Sequence, residues 1–231
     1  MSLRAVLFDA AGTLLLTAEP VGETYARTLA EHGVAIPAWR LEDAFRRVHQ
    51  RAPAMLFPDA GDAAIPDLER EWWSWRVRET LRAADSEARV TDFDALFDAL
   101  WRHYATPHAW RPAEGAAATL DALRGNGFST AVVSNMDHRL DAVLQGLGLG
   151  MRLDAVVRPP HARAAKPDAA IFLEGLRRVG AAPEEAVYVG DDAERDLAGA
   201  RRAGLAAIDV CELATLEDLP RRLARPSQEP R

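Results

Sequence analysis

The chain predicts an α/β fold: a Rossmann-like parallel sheet flanked by helices, with an inserted α-helical bundle. Three observations predict it. A short apolar run opens the chain and ends on a carboxylate, RAVLFD (4–9). A long stretch follows in which the apolar spacing is helical throughout. After WRPAEG (110–115), short apolar strands alternate with amphipathic helices to the end of LAAIDV (205–210), the pattern of a sheet covered on both faces.

Residues 4–9 are short and apolar and suit a buried strand. Val21, Tyr25 and Leu29 then share a helical face that Gly33 stops. Leu41, Phe45 and Val48 form a second face, and Leu68, Trp72 and Trp75 a third. Phe93, Leu96, Phe97, Leu100 and Tyr104 have the cleanest helical spacing in the chain. Helices in a row with no strand between them make a small bundle, a cap domain over 16–108. The core domain is then 1–15 plus 109–231. Within it a helix over 116–124 leads through Gly125 and Gly127 into a strand over 129–135. A helix carrying Leu140, Val143, Leu144 and Leu147 precedes a strand over 153–157. A helix over 167–180, a strand over 186–191, a helix over 196–204 and a strand over 205–210 complete the alternation. ARPSQEPR (224–231) reads as a frayed tail.

Bulk properties exclude several classes. No stretch approaches the roughly 18 uninterrupted apolar residues of a membrane span. MSLRAVLF lacks the basic region and long apolar core of a secretory signal. The expectation is a cytoplasmic protein with no membrane partner. Cys211 is the one cysteine, which excludes an intrachain disulfide and a cysteine-rich metal site. The net charge is −7, and residues 16–108 hold 11 Arg against 16 Asp and Glu, a surplus of 5 negative charges. That argues against a nucleic-acid partner. Among 28 basic residues there is a single lysine, Lys166. A compact ammonium is a different tool from a planar guanidinium, so a lone lysine in an arginine-rich chain marks a position worth explaining. Nothing in the sequence sets the oligomeric state.

In open parallel sheets, ligands bind beyond the carboxyl ends of the strands. Here those ends carry Asp9, then Ser134 and Asn135, then Asp191 and Asp192. An insertion that leaves just after Asp9 is placed to act as a lid. A strand-end Asp can serve as a nucleophile toward phosphorus. It then needs a divalent cation held by oxygen ligands, a hydroxyl to orient the phosphoryl oxygens and a fixed positive charge. Asp191, Ser134 and Lys166 supply residues for those three roles. The Trp72–Trp73–Trp75 cluster reads as bundle core, and His103 and His108 as linker residues.

At these residues the chain resembles the haloacid dehalogenase superfamily of hydrolases with an inserted helical cap. FDAAGTLL (8–15) is similar to the first motif, D-x-D-G-T. VVSN (132–135) is similar to the second, AAKPD (164–168) to the third, and VGDDAERDLAGARRAG (189–204) to the fourth. The resemblance covers residues 4–210 and implies roles position by position. Asp9 would be the nucleophile. The Asp9 carboxylate, the Ala11 carbonyl and Asp191 would hold Mg²⁺. Asp196 would be a further ligand, a holder of water or a partner of Lys166. Ser134 and Lys166 would be catalytic and, with Thr13 and Asn135, would bind phosphate or substrate. The role of Asp192 stays open. The implied substrate is a small phosphorylated molecule.

The sequence departs from the family at one place. The second Asp of the first motif, which protonates the leaving group and then activates water in typical phosphatases of the superfamily, is Ala11. Its loss costs about 10²–10⁴ in rate. Three readings follow. The chain is a specialised Mg²⁺-dependent phosphatase acting through an aspartyl-phosphate on Asp9. Or it hydrolyses a C–X bond, as haloacid dehalogenases and phosphonatases do. The dehalogenases lack the second Asp but use no Mg²⁺, which leaves Asp191 and Asp192 unexplained. The phosphonatases need a cap lysine, and residues 16–108 contain none. Or the chain is a degenerate module that binds phosphate and Mg²⁺ with little turnover.

Overall fold

The computed structural model describes residues 3–224, so most of the expected tail lies outside the described residues. The chain forms two compact units. One takes the chain up to Leu16, then Pro112–Met136, then everything from Leu144 on. The other is Thr17–Arg111 with the short stretch Asp137–Val143. The sequence reading divided the chain close to the first two crossings. It gave no hint that Asp137–Val143 groups with the helices.

The first strand, β1 (Ala5–Phe8), is wholly buried. A central parallel strand is covered on both faces, which is why AVLF is apolar at every position. The chain leaves the first unit within β2 (Leu15–Thr17) and returns within β3 (Trp110–Pro112), which pair in a two-stranded ladder. Ladders of three residues carry too little periodicity to be read from sequence.

Between them run α1 (Val21–Glu31), α2 (Ala38–Arg51), α3 (Ile65–Ala84) and α4 (Phe93–Tyr104). Tyr25, Leu29, Leu41, Ala44, Val77, Leu81, Leu96 and Leu100 share one core. Asp92 caps α4 by accepting from the Ala95 N–H at 2.9 Å. The face read for α3 is wrong. Ile65, Glu69, Arg76, Val77, Thr80 and Leu81 are buried, a stripe turned roughly a third of a turn from Leu68, Trp72 and Trp75. Two charged residues, Glu69 and Arg76, sit inside, so an apolar count mis-phases the helix. Arg76 lies 4.2 Å from the Phe45 ring centroid and 4.4 Å from that of Trp73, and aromatic faces suit a guanidinium. Of the three tryptophans, Trp73 packs against the core, while Trp75 stays exposed.

The Asp137–Val143 stretch is fastened by charge. Asp137 is 1% exposed and accepts from Arg139 at its N (2.9 Å), Nε (2.8 Å) and Nη2 (2.6 Å). The Arg139 guanidinium lies over the Trp101 ring at 3.5 Å and donates to the Trp101 carbonyl at 3.2 Å. Glu69 accepts from the His138 N–H at 3.0 Å and meets its Nδ1 at 2.6 Å. Burial pushes the Asp137 carboxyl up, but Arg139 outweighs it and holds the group below the usual carboxylate range. A depressed folded pKa means the stabilisation is complete above the unfolded value and is lost as pH falls through the folded one. Asp137→Asn is therefore expected to cost about 3 kcal/mol near neutral pH. The gap to the parent narrows as pH falls below the ordinary carboxylate range and through the lowered folded pKa. Thermal melts of both proteins across this range check it.

The remaining elements build the sheet. They are α5 (Ala116–Gly125), β4 (Ser129–Val133), α6 (Arg139–Gly146), β5 (Ala155–Val157), α7 (Pro159–Ala162), α8 (Ala169–Val179), β6 (Ala186–Gly190), α9 (Gly199–Arg202), β7 (Ala206–Asp209) and α10 (Leu219–Ala224). The five main strands are parallel in the order β5-β4-β1-β6-β7. Leu7, Val133, Ile171, Phe172, Leu176 and Tyr188 centre the core beneath α8. The helix expected over 196–204 starts earlier, as a wide π-type turn over Ala193–Ala198. The strand order puts β1 between β4 and β6, so the three carboxyl ends that carry Asp9, Ser134 and Asp191 are neighbours.

Candidate active site

Asp9 follows β1 directly, and its N–H donates to the Val189 carbonyl at 2.9 Å. The backbone then turns tightly, with the N–H groups of Leu14 and Leu15 both donating to the Ala10 carbonyl at 2.9 and 2.8 Å. Gly12 makes the turn possible. Its φ is +97°, and a Cβ there would collide with the Asp191 carboxylate. Thr13 is buried and its Oγ1 donates toward Asp191 Oδ1 at 3.5 Å, the limit of a hydrogen bond. It braces a carboxylate as well as the turn.

Lys166 lies between α7 and α8 and is 6% exposed. Its Nζ donates to Asp9 Oδ1 at 2.7 Å, to Asp196 Oδ1 at 2.5 Å and to the Tyr188 hydroxyl at 3.0 Å. Burial works against the ammonium, but the two carboxylates outweigh it and raise its pKa. Asn135 clamps the backbone of the same residue. Its Oδ1 accepts from the Lys166 N–H at 2.8 Å and its Nδ2 donates to the Lys166 carbonyl at 3.0 Å. The Asn135 side chain thus acts on Lys166, where the sequence reading gave it phosphate or substrate. Ser134 is 2% exposed, and its Oγ accepts from the Met136 N–H at 3.4 Å, a long contact.

The fourth motif contributes three carboxylates with three different fates. Asp196 is buried. Besides Lys166 and Tyr188, it accepts through Oδ2 from the N–H groups of Asp191 (3.2 Å) and Asp192 (3.1 Å). Both of its oxygens are engaged within the protein, which matches the Lys166-partner role. Gly190 lets it come this close, since a Cβ there would strike the Asp196 side chain. Asp192 caps the following turn, accepting from the N–H groups of Glu194 (3.0 Å) and Arg195 (2.7 Å) and from Arg195 Nε (3.0 Å). Burial opposes its charge, but these donors win and lower its pKa. Asp191 is exposed as a residue, while its carboxylate abuts Gly12 and Thr13.

Carboxylate oxygens of Asp9, Asp191 and Asp196 lie within 4.8 Å of one another. Burial first, then the neighbouring carboxylates, raise the pKa of Asp191 to about 6 and also raise that of Asp9. Three acids against one lysine leave the cluster about two positive charges short. An all-oxygen donor set with that deficit fits a hard divalent cation. Sequence reasoning missed Tyr188, which it counted only as part of a strand. The signal was there: a tyrosine in a strand buried on both faces must find a partner for its hydroxyl.

A carboxylate and lysine cluster across the central strand ends of a parallel sheet is suited to chemistry on a phosphoryl or similar group, and the family match makes the chain a hydrolase. The chain belongs to the haloacid dehalogenase-like hydrolases, whose family model matches residues 3–204. It is 34% identical over 235 residues to haloacid dehalogenase-like hydrolase domain-containing protein 3 of Mus musculus, covering 98% of this chain and 91% of that one. It is 38% identical over 101 residues to a glyceraldehyde 3-phosphate phosphatase of Methanopyrus kandleri, covering 43% of each. Among solved structures it is similar to a dehalogenase, with a TM-score of 0.73, 26% identity and coverage of 97% and 99%.

Proposed function

We propose that the chain is a Mg²⁺-dependent phosphatase of small phosphorylated metabolites, acting through Asp9 and specialised for leaving groups that depart without a proton. The observation that carries this reading is the acidic trio of Asp9, Asp191 and Asp196, short of positive charge, around Lys166. Asp9, the Ala11 carbonyl and Asp191 would hold the cation, while Asp196 anchors Lys166. When bound, Mg²⁺ supplies charge neutralisation for the phosphoryl group and the carboxylates. Lys166 holds Asp9 Oδ1, and Oδ2 attacks phosphorus. The P–O bond to the leaving group breaks and its electron pair departs with that oxygen. Water then attacks the aspartyl-phosphate, restoring the Asp9 carboxylate and releasing dihydrogen phosphate, which carries both protons of the water. Ser134 orients the phosphoryl oxygens, and Lys166, whose three donors go to Asp9, Asp196 and Tyr188, acts on them through its charge. The helical unit acts as a cap that selects the substrate, and the setting is the cytoplasm.

An alkoxide must be protonated as it leaves, and the methyl of Ala11 moves no proton. A carboxylate or a nitrophenolate leaves as the anion. Acetyl phosphate and p-nitrophenyl phosphate are therefore expected to turn over with Mg²⁺ and not with EDTA. Glycerol phosphate is expected to be about 10²–10⁴ slower. Ala11→Asp is expected to raise the glycerol phosphate rate most, as phosphate release will report. No turnover of any of the three with Mg²⁺ would sink this reading.

A second reading is hydrolysis of a carbon–halogen bond, favoured by the likeness to a dehalogenase over nearly the whole chain. Halide also leaves without a proton. That reading requires metal-independent halide release from a 2-haloacid. Mg²⁺-dependent phosphate binding without turnover of either kind would instead mark a binding module.

A further inference from the structure

An ammonium has three donors, and Lys166 spends the third on the phenol oxygen of Tyr188. Tyr188 is wholly buried, and its one hydroxyl proton has two acceptors in reach, the Val133 carbonyl at 2.8 Å and Asp196 Oδ1 at 3.2 Å. The Val133 carbonyl is the nearer acceptor, and toward the ammonium of Lys166, which can only donate, the phenol oxygen is an acceptor whichever of the two takes its proton. Val133 is the last residue of β4, directly before Ser134. The phenol thus ties β6, on which it sits, to the end of β4 and, through Lys166, to Asp9 after β1. Its ring is braced edge-on by Phe172 of α8, with centroids 4.9 Å apart. A phenylalanine would pack in the same apolar space. The hydroxyl is the part that packing alone does not require, and burying it unused is costly.

We propose that Tyr188 is a positioning residue whose hydroxyl aims Lys166 Nζ. Asp196 binds Nζ more closely than Asp9 does, at 2.5 against 2.7 Å. Asp196 also lies deeper, with its side chain 1% exposed against 10% for Asp9. With the third acceptor gone, Nζ is free to settle toward Asp196 and away from the nucleophile. The catalytic consequence rests on the phosphatase reading. The placement of Nζ does not.

The test exploits the single lysine. Protein grown with lysine labelled with ¹⁵N at Nζ has one side-chain ammonium resonance, and that resonance is Lys166. Its shift and its proton exchange with water report the three acceptors directly. In Tyr188→Phe the resonance is expected to move and its protons to exchange about tenfold faster. With acetyl phosphate, kcat is expected to fall about tenfold while KM stays within about twofold, because Lys166 acts on charge that develops in the transition state. An unmoved resonance with unchanged exchange overturns the proposal, whatever happens to Tm. If the parent protein turns over none of the phosphates, the phosphatase reading fails and the resonance alone still decides the placement. Replacing the three tyrosines by 3-fluorotyrosine keeps ring and hydroxyl but weakens the acceptor. The resonance is expected to move in that protein as well, which keeps the test open if Tyr188→Phe does not fold.

Discussion

Asp9→Asn is expected to abolish phosphate release, with a loss of at least about 10⁴-fold in kcat. An amide of the same shape cannot form the aspartyl-phosphate. The variant separates chemistry from folding unusually well. Burial and the charge of Asp196 raise the pKa of Asp9, so its ionised form is costly to the metal-free fold at neutral pH. A neutral amide removes that cost, while Lys166 keeps Asp196 and Tyr188. The melting temperature is therefore expected to stay within about 4 °C of the parent. Residual phosphate release in Asp9→Asn above about 1% of the parent would place the nucleophile elsewhere.

Lys166→Met is expected to damage both activity and stability, and the stability loss carries the sharper signature. It leaves Asp9 and Asp196 buried against each other without their shared ammonium. Breaking a buried pair in this way costs about 3–5 kcal/mol. Without the ammonium, which lowers it in the parent, the raised pKa of Asp9 rises further, and the buried pair takes up a proton. Stabilisation tied to a raised pKa is full at low pH and is lost as pH rises through the folded value. The Tm deficit of Lys166→Met should thus grow as pH rises above the ordinary carboxylate range, about pH 4. Lys166→Arg should not restore activity, since a planar fork cannot serve three acceptors arranged around one nitrogen. Melts across pH and phosphate release from acetyl phosphate check both statements. A deficit independent of pH would mean that the lysine matters for packing and not for charge.

Much of this site was legible because the sheet topology does the assembling. Asp9, Ser134 and Asp191 are far apart in sequence, but each follows a strand, and the strand alternation alone makes those ends neighbours. Lys166 stood out by composition. What stayed hidden depended on side chains that break the apolar code. Glu69 and Arg76 are buried and charged, so the inner face of α3 reads as its outer one. Tyr188 looks like one more strand aromatic until its hydroxyl is followed to Lys166 and Val133. Asn135 looks like a substrate contact until its amide is seen facing the Lys166 backbone. β2 and β3 are three residues each, too short for any period. The grouping of Asp137–Val143 with the helices rests on the Asp137–Arg139 pair and on Glu69, contacts that no local pattern announces.

That grouping makes the helical unit something other than a cassette. The chain enters it twice, once through the long insertion and once through a seven-residue detour just after Ser134 and Asn135. Splicing residue 16 to residue 112 would remove the first passage and strand the second. Arg139 would lose the Trp101 ring and carbonyl, and His138 its carboxylate partner on α3. Homologous helical inserts grafted from another scaffold would face the same mismatch unless residues 137–143 travelled with them. Two separated sequence blocks thus make one structural part, and a recombinant that divides them is expected to lose these contacts.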